Sequence, residues 1–284
     1  MNTYIKYEIF PDKLKIISES KWYCRNIGLN KIVANVYKKL ISNNIIKKKL
    51  NLIIHCNDGN NQKINENNTI EFDCVTTNKK DDEIFPDFVF GNWEDIGLTD
   101  YDTFVKQIVE KSNSEITDDR LFWSGNLQNV PQREQYIRLS KEFPNLFKSE
   151  IITWKGGPQD KTTPIGNFIE IKNLYQFKYL IDLSGVGYSA RLKLLTYCGR
   201  PLFIADRIHY SWSDIEILRQ NLHIPINGNL LDLKSKLLFS EIYYDVFLTK
   251  AKELQNFAIN NFTFEKACDY AYKLISNKIC NTIF

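Results

Sequence analysis

The chain has 284 residues, 43% of them hydrophobic and 25% charged, with a formal net charge of +3. That balance describes a globular chain of one large domain or two ordinary ones, and it excludes recognition of nucleic acid by a global positive field. The six cysteines form no C-x-x-C pair, and no apolar run is long enough to span a membrane, which excludes zinc ribbons, thioredoxin-type chemistry and a transmembrane helix.

The N-terminus lacks the apolar core of a signal peptide, so a cytoplasmic protein is expected. Cys56 and Cys198 fall in apolar segments and read as reduced core residues. The lysine clusters Lys38-Lys39 and Lys47-Lys48-Lys49 read as solvated helix ends.

In chain order, Tyr4 to Phe10 and Lys13 to Ile17 read as short edge strands joined by a Pro11-Asp12 turn. Asn30 reads as an N-cap, with Ile32, Val33, Val36, Leu40 and Ile41 spacing a helix to about Asn43. Leu50 to His55 is a strong strand, ended by Cys56-Asn57-Asp58-Gly59. The carboxyl end of a strand is where α/β proteins place ligands and catalytic groups, so Asp58 is a candidate, although Asn-Asp-Gly equally shapes a turn. His55 reads as a histidine at the core edge. Thr69 to Val75 and Phe85 to Phe90 are two further strand-like runs. Gly91-Asn92-Trp93 leads to a helix from Tyr101 to Lys111. Asn92 and Trp93 are candidates for an acceptor site because an aromatic face suits a sugar, with core packing the alternative for Trp93.

Residues 112–119 form the most linker-like stretch. Leu121 to Gly125 is a short strand running into a glycine loop, Pro131 to Phe143 a helix, and Ile151 to Trp154 a strand before a polar loop. Tyr179 to Leu183 is a buried strand with Asp182 inside it. Gly185 and Gly187 follow, and a helical period starts at Tyr188, with Leu192, Leu194, Leu195 and Cys198 apolar and Gly199 the stop. A strand from Pro201 to Ala205 completes one βαβ unit. A helix start behind a glycine loop favours an anion, and Arg191 and Lys193 in the first turn suggest a phosphate between them, though many such loops hold no ligand. Asp206-Arg207, just past the last strand of that unit, reads either as a surface ion pair or as a nucleotide contact. Leu222 to Ile226 is a further short strand, and from Leu230 the pattern is helical to the end. Alternating strands and helices in both halves indicate α/β architecture.

Three blocks of this chain resemble the family 90 glycosyltransferases. The first is Phe177-Lys-Tyr-Leu-Ile-Asp182, Gly185-x-Gly187-Tyr188-Ser189-x-Arg191-Leu and Gly199-Arg-Pro-Leu-Phe203. The second is Phe122-Trp-Ser124-Gly125 with Arg133 downstream. The third is Leu222-His-Ile-Pro-Ile226. The resemblance covers about residues 120 to 226, and 50–93 more weakly. It implies a GT-B fold: two Rossmann-like domains facing a cleft, residues 1–115 on the acceptor side and 116–284 on the nucleotide-sugar side, with a helical C-terminal tail. It implies an inverting, metal-independent glycosyltransferase that moves a hexose or pentose, glucose or xylose foremost, from a UDP-sugar to a glycan, lipid-linked or protein hydroxyl. Asp58 matches the general base. Ser124, Gly125, Arg133, Gly185, Gly187, Tyr188, Ser189, Arg191, Asp206 and Arg207 fall on the nucleotide-sugar side, with Arg191 the strongest candidate for stabilising the leaving diphosphate. No cofactor or metal ligand is implied, because the UDP-sugar is a substrate. The family's usual arginine before the glycine of the first loop is Ser124 here, so its contact is either lost or supplied by Arg133 or Arg207. That departure keeps open a non-catalytic relative that binds nucleotide or glycan. A dinucleotide-dependent oxidoreductase ranks lower, since the loop lacks the full G-x-G-x-x-G form.

Overall fold

The computed structural model describes residues 2–57, 61, 64, 67–128, 130–157 and 162–282. Asp58 lies outside the described residues.

Strands β1 (Tyr4–Ile9) and β2 (Leu14–Ser18) form an antiparallel hairpin. Helix α1 (Tyr23–Ser42) leads to β3 (Leu50–His55) and β4 (Thr69–Asp73), giving a four-stranded mixed sheet in the order β2-β1-β3-β4. Strand β2 is an edge strand as expected, whereas β1 is interior, paired with β2 on one side and β3 on the other. Helix α1 begins seven residues before the expected cap, so Asn30 is an interior position whose side chain accepts from Tyr7 and donates to Glu19. The run from Phe85 to Phe90 is not a strand. Asp87 caps a 3-10 turn over Phe88–Phe90 by accepting from the Val89 amide at 3.0 Å. This turn packs on α1 backbone to backbone: a Cβ on Gly28 would lie 2.1 Å from the Phe88 carbonyl oxygen, so only glycine fits there.

After α2 (Tyr101–Lys111), the chain enters a second sheet at β5 (Asp118–Gly125). The linker-like stretch therefore ends inside a strand. Helix α3 (Pro131–Glu142) and β6 (Phe147–Ile151) follow, then a separate hairpin of β7 (Thr153–Lys155) and β8 (Thr163–Ile165). The expected strand Ile151 to Trp154 is thus divided between two sheets. Next come β9 (Phe177–Asp182), the short helix α4 (Leu192–Thr196), β10 (Leu202–Ala205), α5 (Trp212–Gln220) and β11 (Ile224–Ile226). Helix α4 starts four residues later than the periodicity suggests and has five residues. Helix α5 carries a capping box, in which Ser211 and Asp214 each bond the other's backbone amide.

The second sheet is wholly parallel, in the order β11-β10-β9-β5-β6. The chain winds outward from β5 to β6 on one side and from β9 through β10 to β11 on the other. The direction reverses between β5 and β9, and at such a switch point the loops leaving adjacent strands diverge and open a crevice at their carboxyl ends. Both faces of the sheet are covered: Phe122, Leu180, Leu202 and Ile204 join the core shared with the first sheet, while Leu121, Trp123, Tyr179, Ile181 and Phe203 join a second core with α3 and α6 (Leu233–Ile242). The chain ends in α7 (Tyr244–Asn261) and α8 (Phe264–Thr282); α8 returns to pack on α1 and β4. Among the described residues, no helix is long and apolar enough to cross a membrane.

Candidate functional site

A cleft of about 500 Å³ opens at the carboxyl ends of β5 and β9. One wall comes from the parallel sheet: Ser124 and Gly125 at the end of β5, Arg133 on α3, and the run Gly185 to Arg191 between β9 and α4. The facing wall comes from the first half of the chain and includes Trp22, Arg25, Phe88, Trp93 and Asp95. The β7–β8 hairpin contributes Trp154 at one side, in edge-to-face contact with Phe168 at 5.9 Å.

The parallel-sheet wall is held by a buried charge network. Asp182 is fully buried at the end of β9. It accepts from the Ser189 hydroxyl at 2.7 Å and pairs with Arg207 Nη1 at 2.9 Å, while Arg191 Nη2 stands 3.7 Å away. Arg191 Nη1 donates to the Ser124 carbonyl, so one side chain spans the ends of β5 and β9; its buried Nε has no hydrogen-bond partner. Arg133 donates to the carbonyls of Ser184 at 2.9 Å and Asn126. Burial, and then the neighbouring Arg191 charge, push the Arg133 guanidinium down to about 10, so it remains a cation at neutral pH. Two arginines of this wall thus converge on the cleft, and the carboxylate beside Arg191, Asp182, is more closely paired with Arg207. Such an arrangement attracts a polyanion.

The facing wall is aromatic. The Arg25 guanidinium lies 4.9 Å from the Trp22 ring and 5.7 Å from that of Phe88, and it donates to the Cys56 carbonyl just beyond β3. Phe88 meets Trp93 edge to face at 5.8 Å. Asp95 accepts from the Thr162 amide at 2.7 Å, which ties the β7–β8 hairpin to this wall. Burial, and then the Asp95 charge, push the Cys24 thiol up to about 11, so it is not a nucleophile at neutral pH.

Of the residues singled out from sequence, Ser124, Gly125, Arg133, Gly185, Gly187, Tyr188, Ser189, Arg191 and Trp93 line this cleft together. Asn92 does not; it is 1% exposed, beside Trp93. Asp206 and Arg207 line a separate cavity of about 340 Å³ with Tyr210 and His223. The Arg207 side chain faces Asp182 and Asp214 rather than the cleft. Lys193 does not stand beside Arg191 at an anion site: it is buried and paired with Asp87. Trp22, Arg25, Asp95 and Trp154 line the cleft as well, without belonging to any of the motifs above. The signal available was Trp22-Tyr-Cys-Arg25, aromatics and an arginine at the cap and in the first turn of α1.

The family model for glycosyl transferase family 90 matches residues 12–278. The chain belongs to this family. Three similar relatives are each named protein O-glucosyltransferase 1. That of Rattus norvegicus is 24% identical over 225 residues, covering 72% of this chain and 55% of its own length. The Mus musculus protein is 23% identical over 226 residues, with 72% and 56% covered, and that of Bos taurus 23% over 192, with 64% and 47%. The chain thus spans about half the length of these relatives. Family 90 membership accords with an α/β chain that carries a cleft at the carboxyl edge of a parallel sheet.

Proposed function

We propose that this chain is a UDP-sugar-dependent, inverting glycosyltransferase whose cleft divides a GT-B-like pair of Rossmann-like units, residues 1–115 and 116–284. The observation that carries the reading is the convergence of Arg191 and Arg133 on the glycine loop at the switch point between β5 and β9. The donor diphosphate lies against that loop. The acceptor hydroxyl enters from the Trp93 side and attacks the anomeric carbon, while Asp58, three residues past β3, takes its proton. The bond from the anomeric carbon to the diphosphate oxygen breaks with inversion, and UDP leaves with the bonding electrons. The growing negative charge meets Arg191, Arg133 and the amides of the 185–187 loop, which do the work a divalent metal does in other transferases. No metal takes part in this scheme. Arg207 contributes through Asp182, and Asn92 through the placement of Trp93.

The relatives' names favour glucose as the donor sugar, with xylose the nearest alternative. The acceptor is a glycan, lipid-linked or protein hydroxyl, and the reaction is cytoplasmic. Incubation with UDP-glucose and UDP-xylose tests the reading. The wild type should hydrolyse one of them slowly, and Asp58→Asn should abolish this while leaving UDP affinity unchanged. UDP binding without turnover in either protein would instead identify a non-catalytic relative, the outcome that Ser124 in place of the family arginine makes worth testing.

A further inference from the structure

A buried ion pair joins the two cleft walls, Lys193 Nζ to Asp87 Oδ2 at 2.8 Å, with side-chain exposures of 0% and 2%. Each partner also bonds the backbone of its own wall. Asp87 caps the turn that presents Phe88 to the cleft and leads to Trp93. Lys193 donates to the carbonyl of Ala190 at 3.1 Å, between Ser189 and Arg191, and its ammonium lies 5.6 Å from the Phe90 ring and 5.9 Å from that of Tyr188. We infer that Asp87 and Lys193 are positioning residues that fix the register between the 188–191 loop and the Phe88–Trp93 turn. In catalytic terms this rests on the transferase reading above.

Stability alone is a poor reason for such a pair, because a buried ion pair can often be replaced by apolar side chains at little cost. What an apolar pair cannot reproduce is a directional bond to each wall. A transfer that needs donor and acceptor on opposite walls depends on that registration, since a misplacement of about 1 Å costs on the order of 100-fold in rate.

The single variant Lys193→Met leaves a buried carboxylate unpaired and should lower Tm by roughly 10 °C. The informative protein is the double variant Asp87→Ser/Lys193→Met, which keeps a capping hydroxyl and fills the lysine volume while removing both charges. It should fold with a Tm near that of the wild type and bind UDP within about threefold of it, yet hydrolyse UDP-glucose about 100-fold more slowly. A rate within threefold of the wild type would overturn the inference, as would a rate loss matched by an equal loss of UDP affinity. Crystal structures of the wild type and the double variant give a readout independent of turnover. With the 185–191 loops superposed, the Phe88–Trp93 turn should be displaced by about 1 Å or more; coincident walls would sink the idea even if the wild type hydrolysed no donor. A wild type without turnover but with displaced walls in the double variant would count against the transferase reading alone.

Discussion

The two walls of the cleft rest on different physics. The parallel-sheet wall stands on charge: Asp182 at the end of β9 pairs with Arg207 and lies 3.7 Å from Arg191, and Arg207 in turn reaches Asp214 at 4.0 Å. The facing wall stands on an edge-to-face ring pair, a guanidinium over the Trp22 ring, and backbone contact between α1 and the Phe88 turn. Directional bonds set Arg191 and Arg133 to a fixed geometry, which suits the diphosphate of the proposed donor. Rings offer broad faces with little directionality, which suits an acceptor held by area. The contrast also sets where each wall is fragile, because a buried charge without its partner costs far more than a trimmed ring.

The largest expected effect follows from breaking the network at its centre. Arg207→Met removes the cation nearest Asp182 and Asp214 and should cost about 3–5 kcal/mol of stability, measured by urea unfolding. A loss below about 1 kcal/mol would remove the contrast between the walls.

The next effect concerns pH. Burial pushes the Asp214 carboxyl up to about 6 from its ordinary value of 3.8. Between those values the folded state holds more protons than the unfolded one, so ionising Asp214 removes stability as pH rises from about 4 to about 6, and the loss then levels off. The span amounts to about 3 kcal/mol. Asp214→Asn keeps an acceptor for the Ser211 amide and should raise stability relative to the wild type across that window, with a constant difference above it. An equal difference at pH 4 and pH 7 would show that Asp214 does not titrate in this range. Substitutions among the rings of the facing wall should leave the pH dependence unchanged.

The sequence carried much of this architecture. The β1–β2 hairpin, β3, β9 and β10 announce themselves by apolar runs between turn residues, and the glycine loop by its spacing. Other features depend on partners distant in the chain. Helix α1 starts at Tyr23 without a capping side chain, its entry organised by Ser20 and Asn26, which bond each other through both side chain and backbone. Local periodicity therefore points to a later start, at Asn30. The Phe85 to Phe90 run has the composition of a strand, but Pro86 donates no ladder bond and Asp87 caps a turn instead. Lys193 occupies a helical first-turn position in the sequence, yet its burial against Asp87 is a tertiary fact no local pattern contains. The same holds for Arg207, whose place after β10 resembles a ligand position and whose side chain turns inward to Asp182.

The most direct test of the central claim is a calorimetric titration of UDP into the wild type, Arg191→Ala and Trp93→Ala. A diphosphate seated on the parallel-sheet wall should bind the wild type with a Kd below about 1 mM and lose roughly 10- to 100-fold in affinity in Arg191→Ala, the worth of a charge-assisted contact. Trp93→Ala should bind UDP as the wild type does. No binding to the wild type, or equal weakening in both variants, would contradict a donor site built on Arg191.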